Sequence, residues 1–134
     1  MQQTTSNISE KTVILYVEDN PDNRKLVTRV LNADGFTVFG AANAPEGFTI
    51  LQNQTPDIIL MDIHLPGIDG YTMTEQLRKK EQLNSVPIVA LTANVTNDDE
   101  QKSRHAGCNG FIQKPINVDE LPNQVRAYLQ NVNE

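Results

Sequence analysis

Polar residues able to do chemistry stand at the ends of several short apolar runs in this sequence. In chain order they are Glu18, Asp19, Asp62, Thr92 and Lys114. Carboxylates bind hard cations, while a hydroxyl and an ammonium can stabilise the oxygens of a transferring anionic group. These residues are therefore the first candidates for a functional site, provided that the fold brings them together.

The apolar runs that precede these residues are rich in β-branched side chains and show no polar alternation. This pattern is typical of strands that are covered on both faces, as in a parallel sheet. The predicted strands are Val13–Val17, Phe36–Phe39, Ile58–Met61, Val86–Leu91 and Phe111–Ile112.

Helix signals fill the segments between the strands. Asn20 can cap a first helix, with Pro21 at its first position and Gly35 as its stop. The second and third helices are predicted over Pro45–Asn53 and Asp69–Glu81, and the fourth from Thr96 or Asn97 to just before Gly107. Asn117 to Glu120 resembles a capping box for the fifth, although Pro122 favours a start at Asp119 or a kink instead.

Alternating strands and helices predict an α/β fold with right-handed crossovers and helices on both faces of the sheet. We expect a flavodoxin-like, doubly wound sheet of five parallel strands, in the order 2-1-3-4-5, with five helices. The predicted domain covers residues 11–131, with a flexible tail at 1–10 and a short tail at 132–134.

In that strand order the first and third strands are neighbours, so three carboxylates meet at one edge of the sheet. Two carboxylates about 4 Å apart repel by roughly 4 kcal/mol at an effective dielectric of about 20. A hard divalent cation with oxygen ligands would relieve this repulsion, and the sequence lacks the His/Cys cluster of a zinc site. We therefore expect Mg²⁺ at the carboxylates and a second positive charge from Lys114.

A carboxylate beside a metal ion and a lysine is suited to in-line attack on phosphorus, with an acyl phosphate as product. Thr92 could donate its hydroxyl to a phosphoryl oxygen. Ala93, which has only a methyl group, would leave the nucleophile open to a donor or to water.

The ordered set of motifs around these residues resembles the receiver domain of two-component response regulators. The motifs are Val17-Glu18-Asp19-Asn20, Met61-Asp62-Ile63-His64-Leu65-Pro66 with the following Gly67 and Gly70, Leu91-Thr92-Ala93, and Lys114-Pro115. The resemblance covers about residues 12–129. It is strongest to stand-alone receivers of the DivK type and to receivers attached to hybrid histidine kinases, and it implies the CheY-like form of the flavodoxin fold.

The resemblance also implies a role for each matching residue. Asp62 would be the phosphoacceptor, Asp19 a direct Mg²⁺ ligand, Glu18 a ligand through water, and His64 a ligand through its backbone carbonyl. Lys114 would pair with the phosphate, its bond to Pro115 being cis. Thr92 and Phe111 would form a coupled switch pair.

These roles lead us to expect a single-domain response regulator that takes a phosphoryl group from a histidine kinase or a histidine phosphotransfer protein. It would signal by phosphorylation-dependent protein binding or by phosphorelay, as a phosphoacceptor that assists its own reactions rather than as an enzyme. A receiver cut from a hybrid histidine kinase is the alternative. A haloacid dehalogenase-type phosphatase is a remote one, because Asp62-Ile63-His64 lacks the second Asp of such enzymes.

Composition excludes other classes of function. The formal net charge of −6 argues against a nucleic-acid surface, and no apolar run is long enough for membrane insertion. A flavin phosphate would be repelled by Glu18 and Asp19. Cys108 is the single cysteine and is interpreted as a small buried residue, which fits a reducing cytoplasm. We expect a monomer or a weak dimer.

Overall fold

The computed structural model of the chain describes residues 12–93 and 96–133, which form one parallel sheet flanked by helices. The strands are β1 (Val13–Val17), β2 (Thr37–Ala41), β3 (Ile58–Asp62), β4 (Ile88–Thr92) and β5 (Gly110–Gln113). The helices are α1 (Pro21–Ala33), α2 (Ala44–Asn53), α3 (Gly70–Leu77), α4 (Asn97–Ala106) and α5 (Leu121–Asn133), with a 3-10 turn at Glu81–Leu83. The strand order β2-β1-β3-β4-β5 confirms the predicted fold.

The sheet separates two apolar clusters because successive side chains of a strand point to opposite faces. One cluster packs strand residues such as Tyr16 and Leu60 against α1 and α5. The other packs residues such as Leu15 and Met61 against α2 and α3. Every residue of β3 and β4 is buried, as the runs without polar alternation predict.

Two strands begin later than the apolar runs indicate. Phe36 is buried ahead of β2, and its amide donates to the Leu31 carbonyl at the end of α1, 3.1 Å away. Pro87, just before β4, has no amide proton to donate to a ladder. Its carbonyl still accepts from the Ile59 amide at 2.9 Å, so the ladder starts with Ile88.

The predicted caps of α1 and α4 are confirmed. Asn20 caps α1 by accepting from the Asn23 amide, with Pro21 in the first turn. Thr96 caps α4 by accepting from the Asp99 amide, and Gly107 ends the helix with a φ of 114°, which favours glycine.

The third helix is shorter than predicted, ending at Leu77 rather than Glu81. Arg78 follows it, and its guanidinium donates to the carbonyls of Leu83 (2.7 Å) and Gly107 (2.9 Å). These contacts tie the chain into a turn and then the 3-10 segment. Sequence patterns cannot show such a contact because Gly107 lies 29 residues away.

The fifth helix begins at Leu121, later than either start considered from the sequence. Asn117 caps the preceding turn, its Oδ1 accepting from the amides of Asp119 (3.0 Å) and Glu120 (3.3 Å). Pro122 therefore falls in the first helical turn, where its missing amide proton costs no helical hydrogen bond. α5 extends to Asn133, into the segment 132–134 assigned to a tail, whereas the tail predicted over 1–10 lies outside the described residues.

Within the described part of the chain, no helix combines the length and the apolar character needed to span a membrane. Cys108 is buried, its sulfur 3.8 Å from Thr74 Oγ1, and burial raises the pKa of its thiol.

Candidate functional site

Strand alternation places Glu18, Asp62 and Lys114 on one side of the sheet's carboxyl edge. The residues two positions earlier in the chain, Tyr16, Leu60 and Ile112, all belong to the cluster that faces α1 and α5. The sheet's hydrogen bonds also continue past the strands. Lys114 donates its amide to the Thr92 carbonyl (2.8 Å), and Glu18 donates to the Ala41 carbonyl (2.9 Å).

Glu18, Asp19 and Asp62 form the acidic cluster predicted from the strand order. Each offers a carboxylate oxygen, and these oxygens all lie within 4.8 Å of one another. Glu18 is 1% exposed and Asp62 is 3% exposed, whereas Asp19 is open to solvent. The cluster thus has two buried carboxylates and one that faces outward.

Lys114 reaches the two buried carboxylates. Its Nζ lies 3.2 Å from Asp62 Oδ2 and 3.4 Å from Glu18 Oε1. Burial lowers the pKa of this ammonium, but the charges of Asp62 and Glu18 and their hydrogen bonds outweigh burial, so the pKa is raised. The peptide bond from Lys114 to Pro115 is cis, as the resemblance implied.

Glu18 is held by donors on both carboxylate oxygens. The Tyr16 hydroxyl donates to Oε1 at 3.2 Å, and the Asn20 amide donates to Oε2 at 3.2 Å. Burial is the main reason that the pKa of Glu18 is raised; the Asn20 hydrogen bond opposes the shift and the charge of Asp62 adds to it. Such a carboxylate is fixed in place but costly to keep ionised without a nearby cation.

The loop after β3 orients the side chain of Asp62, the last residue of that strand. The His64 amide donates to Asp62 Oδ1 at 3.0 Å, while the His64 side chain is exposed. Gly70 begins α3 so close to this loop that a Cβ there would stand 2.8 Å from the Asp62 carbonyl oxygen. A glycine is therefore required for α3 to pack against the loop.

Thr92 and Phe111 lie on the same face of the sheet. Phe111 is in register with Ala90, and Thr92 follows Ala90 by two residues in the same strand. Thr92 is buried and Phe111 is half-buried against the α2 and α3 side. Ala93 follows Thr92 and is exposed.

Two residues in contact with the acidic cluster were missed from the sequence. Tyr16 was assigned only to a strand, although its separation of two residues from Glu18 puts both side chains on one face. Arg24 was read only as part of α1. Its Nη1 donates to the Glu18 carbonyl at 2.7 Å, a contact that depends on how α1 lies against the sheet.

The donor set fits a hard divalent cation. Within the described residues, three carboxylates share this small volume with one ammonium, so the cluster has an excess of negative charge. All the side-chain donors are oxygens, the ligands that Mg²⁺ prefers, and no described sulfur or imidazole group joins them.

Comparison with known proteins decides the family. The model of the response regulator receiver domain matches residues 14–126. The chain belongs to this family. This receiver is similar to the polar-differentiation response regulator DivK of Brucella anthropi, with 34% identity over 116 residues, covering 87% of this chain and 94% of that protein.

Solved structures agree with this assignment. The receiver is similar to the chemotaxis response regulator CheY4 of Vibrio cholerae, with a TM-score of 0.84, 26% identity, and coverage of 87% of this chain and 98% of that one. It is also similar to the receiver domain of a sensor histidine kinase of Pseudomonas aeruginosa, with a TM-score of 0.80, 35% identity, and coverage of 89% and 98%. That structure has a magnesium ion coordinated in its active-site cleft.

Proposed function

We propose that this receiver accepts a phosphoryl group on Asp62 from the phosphohistidine of a histidine kinase or a histidine phosphotransfer protein. One observation carries the proposal. Asp62 is buried at the edge of the sheet, with Lys114 Nζ 3.2 Å from one of its oxygens and two further carboxylates beside it. An aspartate so placed is held beside a positive charge at the carboxyl edge of the sheet.

In the proposed reaction a carboxylate oxygen of Asp62 attacks the phosphorus, and the bond from phosphorus to the donor nitrogen breaks with its electrons going to the imidazole. Lys114 stays close to the developing acyl phosphate and stabilises its oxygens. The His64 amide, 3.0 Å from Asp62 Oδ1, keeps the carboxylate oriented. In this proposal Thr92 would donate its hydroxyl to a phosphoryl oxygen, and Ala93 would leave the approach open.

Glu18, Asp19, Asp62 and the backbone carbonyl of His64 would hold Mg²⁺. When bound, the ion supplies positive charge that offsets the charge of the phosphoryl oxygens. The exposed Asp19 suits direct ligation. Glu18 already accepts from Tyr16, Asn20 and Lys114, which suits contact through water.

The phosphodonor would dock on α1. Leu26, on that helix, is 49% exposed and is the exposed large hydrophobic side chain among the described residues. It lines a groove together with Ala93, Lys114 and Ile116, so the groove runs from α1 to the site. A partner helix lying against Leu26 would bring its histidine toward Asp62.

In this proposal the receiver is a phosphoacceptor and not an enzyme acting on a separate substrate. Phosphorylation would change how Thr92 and Phe111 pack, and so alter the α4 face that binds the next protein. The cytoplasmic location and the monomeric or weakly dimeric state expected from the sequence remain part of the proposal.

The test is intact mass after incubation with Mg²⁺ and acetyl phosphate, on wild type and Asp62→Asn together. A gain of one phosphoryl group in the wild type alone, lost without Mg²⁺, is expected. Asp62→Asn keeps the shape of the side chain, so an equal gain in that variant would place the acceptor elsewhere. No gain in the wild type would lead to a beryllofluoride titration, and no binding there would refute the proposal.

A further inference from the structure

Arg24 links α1 to the backbone of Glu18 and Asp19, the acidic pair at the end of β1. Its Nη1 donates to the Glu18 carbonyl at 2.7 Å and lies 3.4 Å from the Asp19 carbonyl. The side chain is half-buried, and the shorter contact has the length expected of a strong charged hydrogen bond. Arg24 therefore contacts the main chain of two of the three residues that form the acidic cluster.

The backbone of Glu18 is fixed from two directions. Its amide donates to the Ala41 carbonyl of β2 at 2.9 Å, which continues the sheet, and its carbonyl accepts from Arg24. The sheet ladder ends at this point, and Asp19 follows as an exposed residue. The Arg24 contact thus lies where the chain leaves the sheet, at the backbone that sets the direction of the Asp19 side chain.

Gly40 makes room for the path of Arg24 along the sheet edge. A Cβ at position 40 would stand 3.3 Å from Arg24 Cγ and 3.4 Å from Cδ, at or inside ordinary contact distance. Gly40 has no left-handed backbone conformation that would demand glycine. Space for the Arg24 side chain is therefore a physical reason for a glycine within β2.

We propose that Arg24 is a positioning residue, which sets the Glu18–Asp19 backbone and thereby the affinity of the acidic cluster for a divalent cation. The inference rests on the proposed function of that cluster as a Mg²⁺ site. A planar guanidinium can address two adjacent carbonyls with fixed geometry, which the single ammonium of lysine does less well. Arg24 does not touch the reacting atoms and acts through the two acidic residues.

A positioning role and a mere charge effect predict opposite changes in Mg²⁺ affinity when the Arg24 side chain is removed. If Arg24 acted only as a nearby cation, its removal would make the cluster more negative and would tighten Mg²⁺ binding. If it positions the backbone, its removal loosens Asp19 and weakens binding. The direction of the change in Mg²⁺ affinity therefore separates the two.

The experiment is isothermal titration of Mg²⁺ into the unphosphorylated full chain, for wild type, Arg24→Ala, Arg24→Lys and Arg29→Ala. We expect about tenfold weaker binding for Arg24→Ala, as for loss of an outer-shell partner, and an intermediate loss for Arg24→Lys. Arg29 lines a separate groove on α1 together with Arg24, and among the described residues it makes no hydrogen bond or ion pair with Glu18 or Asp19. Arg29→Ala should therefore bind Mg²⁺ like the wild type.

Gly40→Val provides an independent variant that keeps the guanidinium. Valine favours a strand, so the free energy of unfolding in urea should be unchanged or higher. The added methyl groups should displace Arg24 and weaken Mg²⁺ binding severalfold. Weaker binding in a protein of undiminished stability would not follow from a general structural role of the arginine.

The outcomes are distinct. Equal or tighter binding by Arg24→Ala, or wild-type affinity in Gly40→Val, would overturn the positioning role while leaving the proposed function intact. Absence of Mg²⁺ binding by the wild type would overturn the metal site itself and this inference with it.

Discussion

The Tyr16 hydroxyl donates a hydrogen bond to Glu18 Oε1 across 3.2 Å, linking a fully buried phenol to a buried carboxylate of the site. The two side chains lie on the same face of the sheet because the residues are two apart in the chain. Burial, and then the charge of Glu18, raises the pKa of the Tyr16 phenol, so it remains a donor at neutral pH. The core under the site therefore takes part in fixing Glu18.

Tyr16→Phe tests the value of this contact. The ring is retained, so packing is preserved, but Glu18 loses one of its donors. We expect the free energy of unfolding to fall by about 1.5–2 kcal/mol, the lower part of the range for a hydrogen bond to a charged group, because Glu18 keeps its other donors. Urea denaturation at neutral pH without Mg²⁺ measures it.

Tyr128→Phe is the matched control. The Tyr128 hydroxyl donates to the neutral Phe111 carbonyl at a longer 3.3 Å, and the side chain is only half-buried. Loss of this hydroxyl should lower the free energy of unfolding less than loss of the Tyr16 hydroxyl does. Equal losses in the two variants would mean that the Tyr16 bond contributes nothing through the charge of Glu18.

Much of the fold was predictable because parallel strands that are buried on both faces leave a continuous apolar signal. β1, whose bounds the run Val13–Val17 matches, shows this best. The predicted bounds were wrong where contacts with other segments determine the end of an element. Arg78, for example, donates to the carbonyls of Leu83 and Gly107, and α3 ends before it. Leu26 is another case, since an apolar residue in a helix suggests burial and the structure leaves this one exposed.

The convergence of Glu18, Asp62 and Lys114 was predictable once the strand order was inferred, because each ends or follows a strand at the same edge. The supporting contacts were not. Arg24 reaches the Glu18 carbonyl only because α1 packs at a particular angle and Gly40 leaves space. Neither condition is visible in local sequence patterns. The roles assigned to the individual site residues stay predictions.

Lys114→Met should separate stability from metal affinity. The ammonium is the partner of two buried carboxylates, and a fully buried pair broken on one side costs about 3–5 kcal/mol. Lys114 is 23% exposed in its side chain, so we expect a loss of about 2 kcal/mol without Mg²⁺. Because the excess negative charge grows, added Mg²⁺ should restore more stability in the variant than it adds to the wild type.

Urea denaturation with and without Mg²⁺ measures both effects, and Lys102→Met is the control. Lys102 is exposed on α4 and makes no ion pair among the described residues. It should change neither the stability nor the response to Mg²⁺. A Lys114→Met protein that gains less from Mg²⁺ than the wild type would contradict the charge balance described for the cluster.

Cys108 predicts a pH dependence of stability. Burial raises the pKa of its thiol above the ordinary value of 9.0, so the folded protein keeps a proton that the unfolded chain loses. The stabilisation is complete below that ordinary value and is lost as the pH rises from there through the folded pKa. In urea denaturation at a series of pH values, the stability advantage of the wild type over Cys108→Ala should therefore decline as the pH rises above about 9.

The same burial should make the native thiol unreactive. DTNB at pH 8 is expected to modify Cys108 far more slowly in the folded protein than in urea.

In the comparison of stability between the wild type and Cys108→Ala, the tyrosines also titrate at high pH, but they are common to both proteins and cancel in the difference. A constant difference in stability across the range would show that the thiol is not shielded.

Thr92→Ala tests whether the switch depends on a hydroxyl. The Thr92 hydroxyl is proposed to contact the phosphoryl group, while Asp62 and Lys114 hold the reacting atoms. The variant should still gain one phosphoryl group, with an uptake rate within about tenfold of wild type, since one hydrogen bond of about 1.4 kcal/mol corresponds to that factor. The amide resonances of α4 and β5 should then fail to shift on addition of beryllofluoride and Mg²⁺.

Thr92→Ser is the matched control because it restores the hydroxyl and removes only a methyl group. Its α4 resonances should shift as in the wild type. The comparison isolates the hydrogen bond from the packing of Thr92 over the face it shares with Phe111. A normal shift in Thr92→Ala, or a missing one in Thr92→Ser, would mean that the phosphorylated site reaches α4 through packing alone.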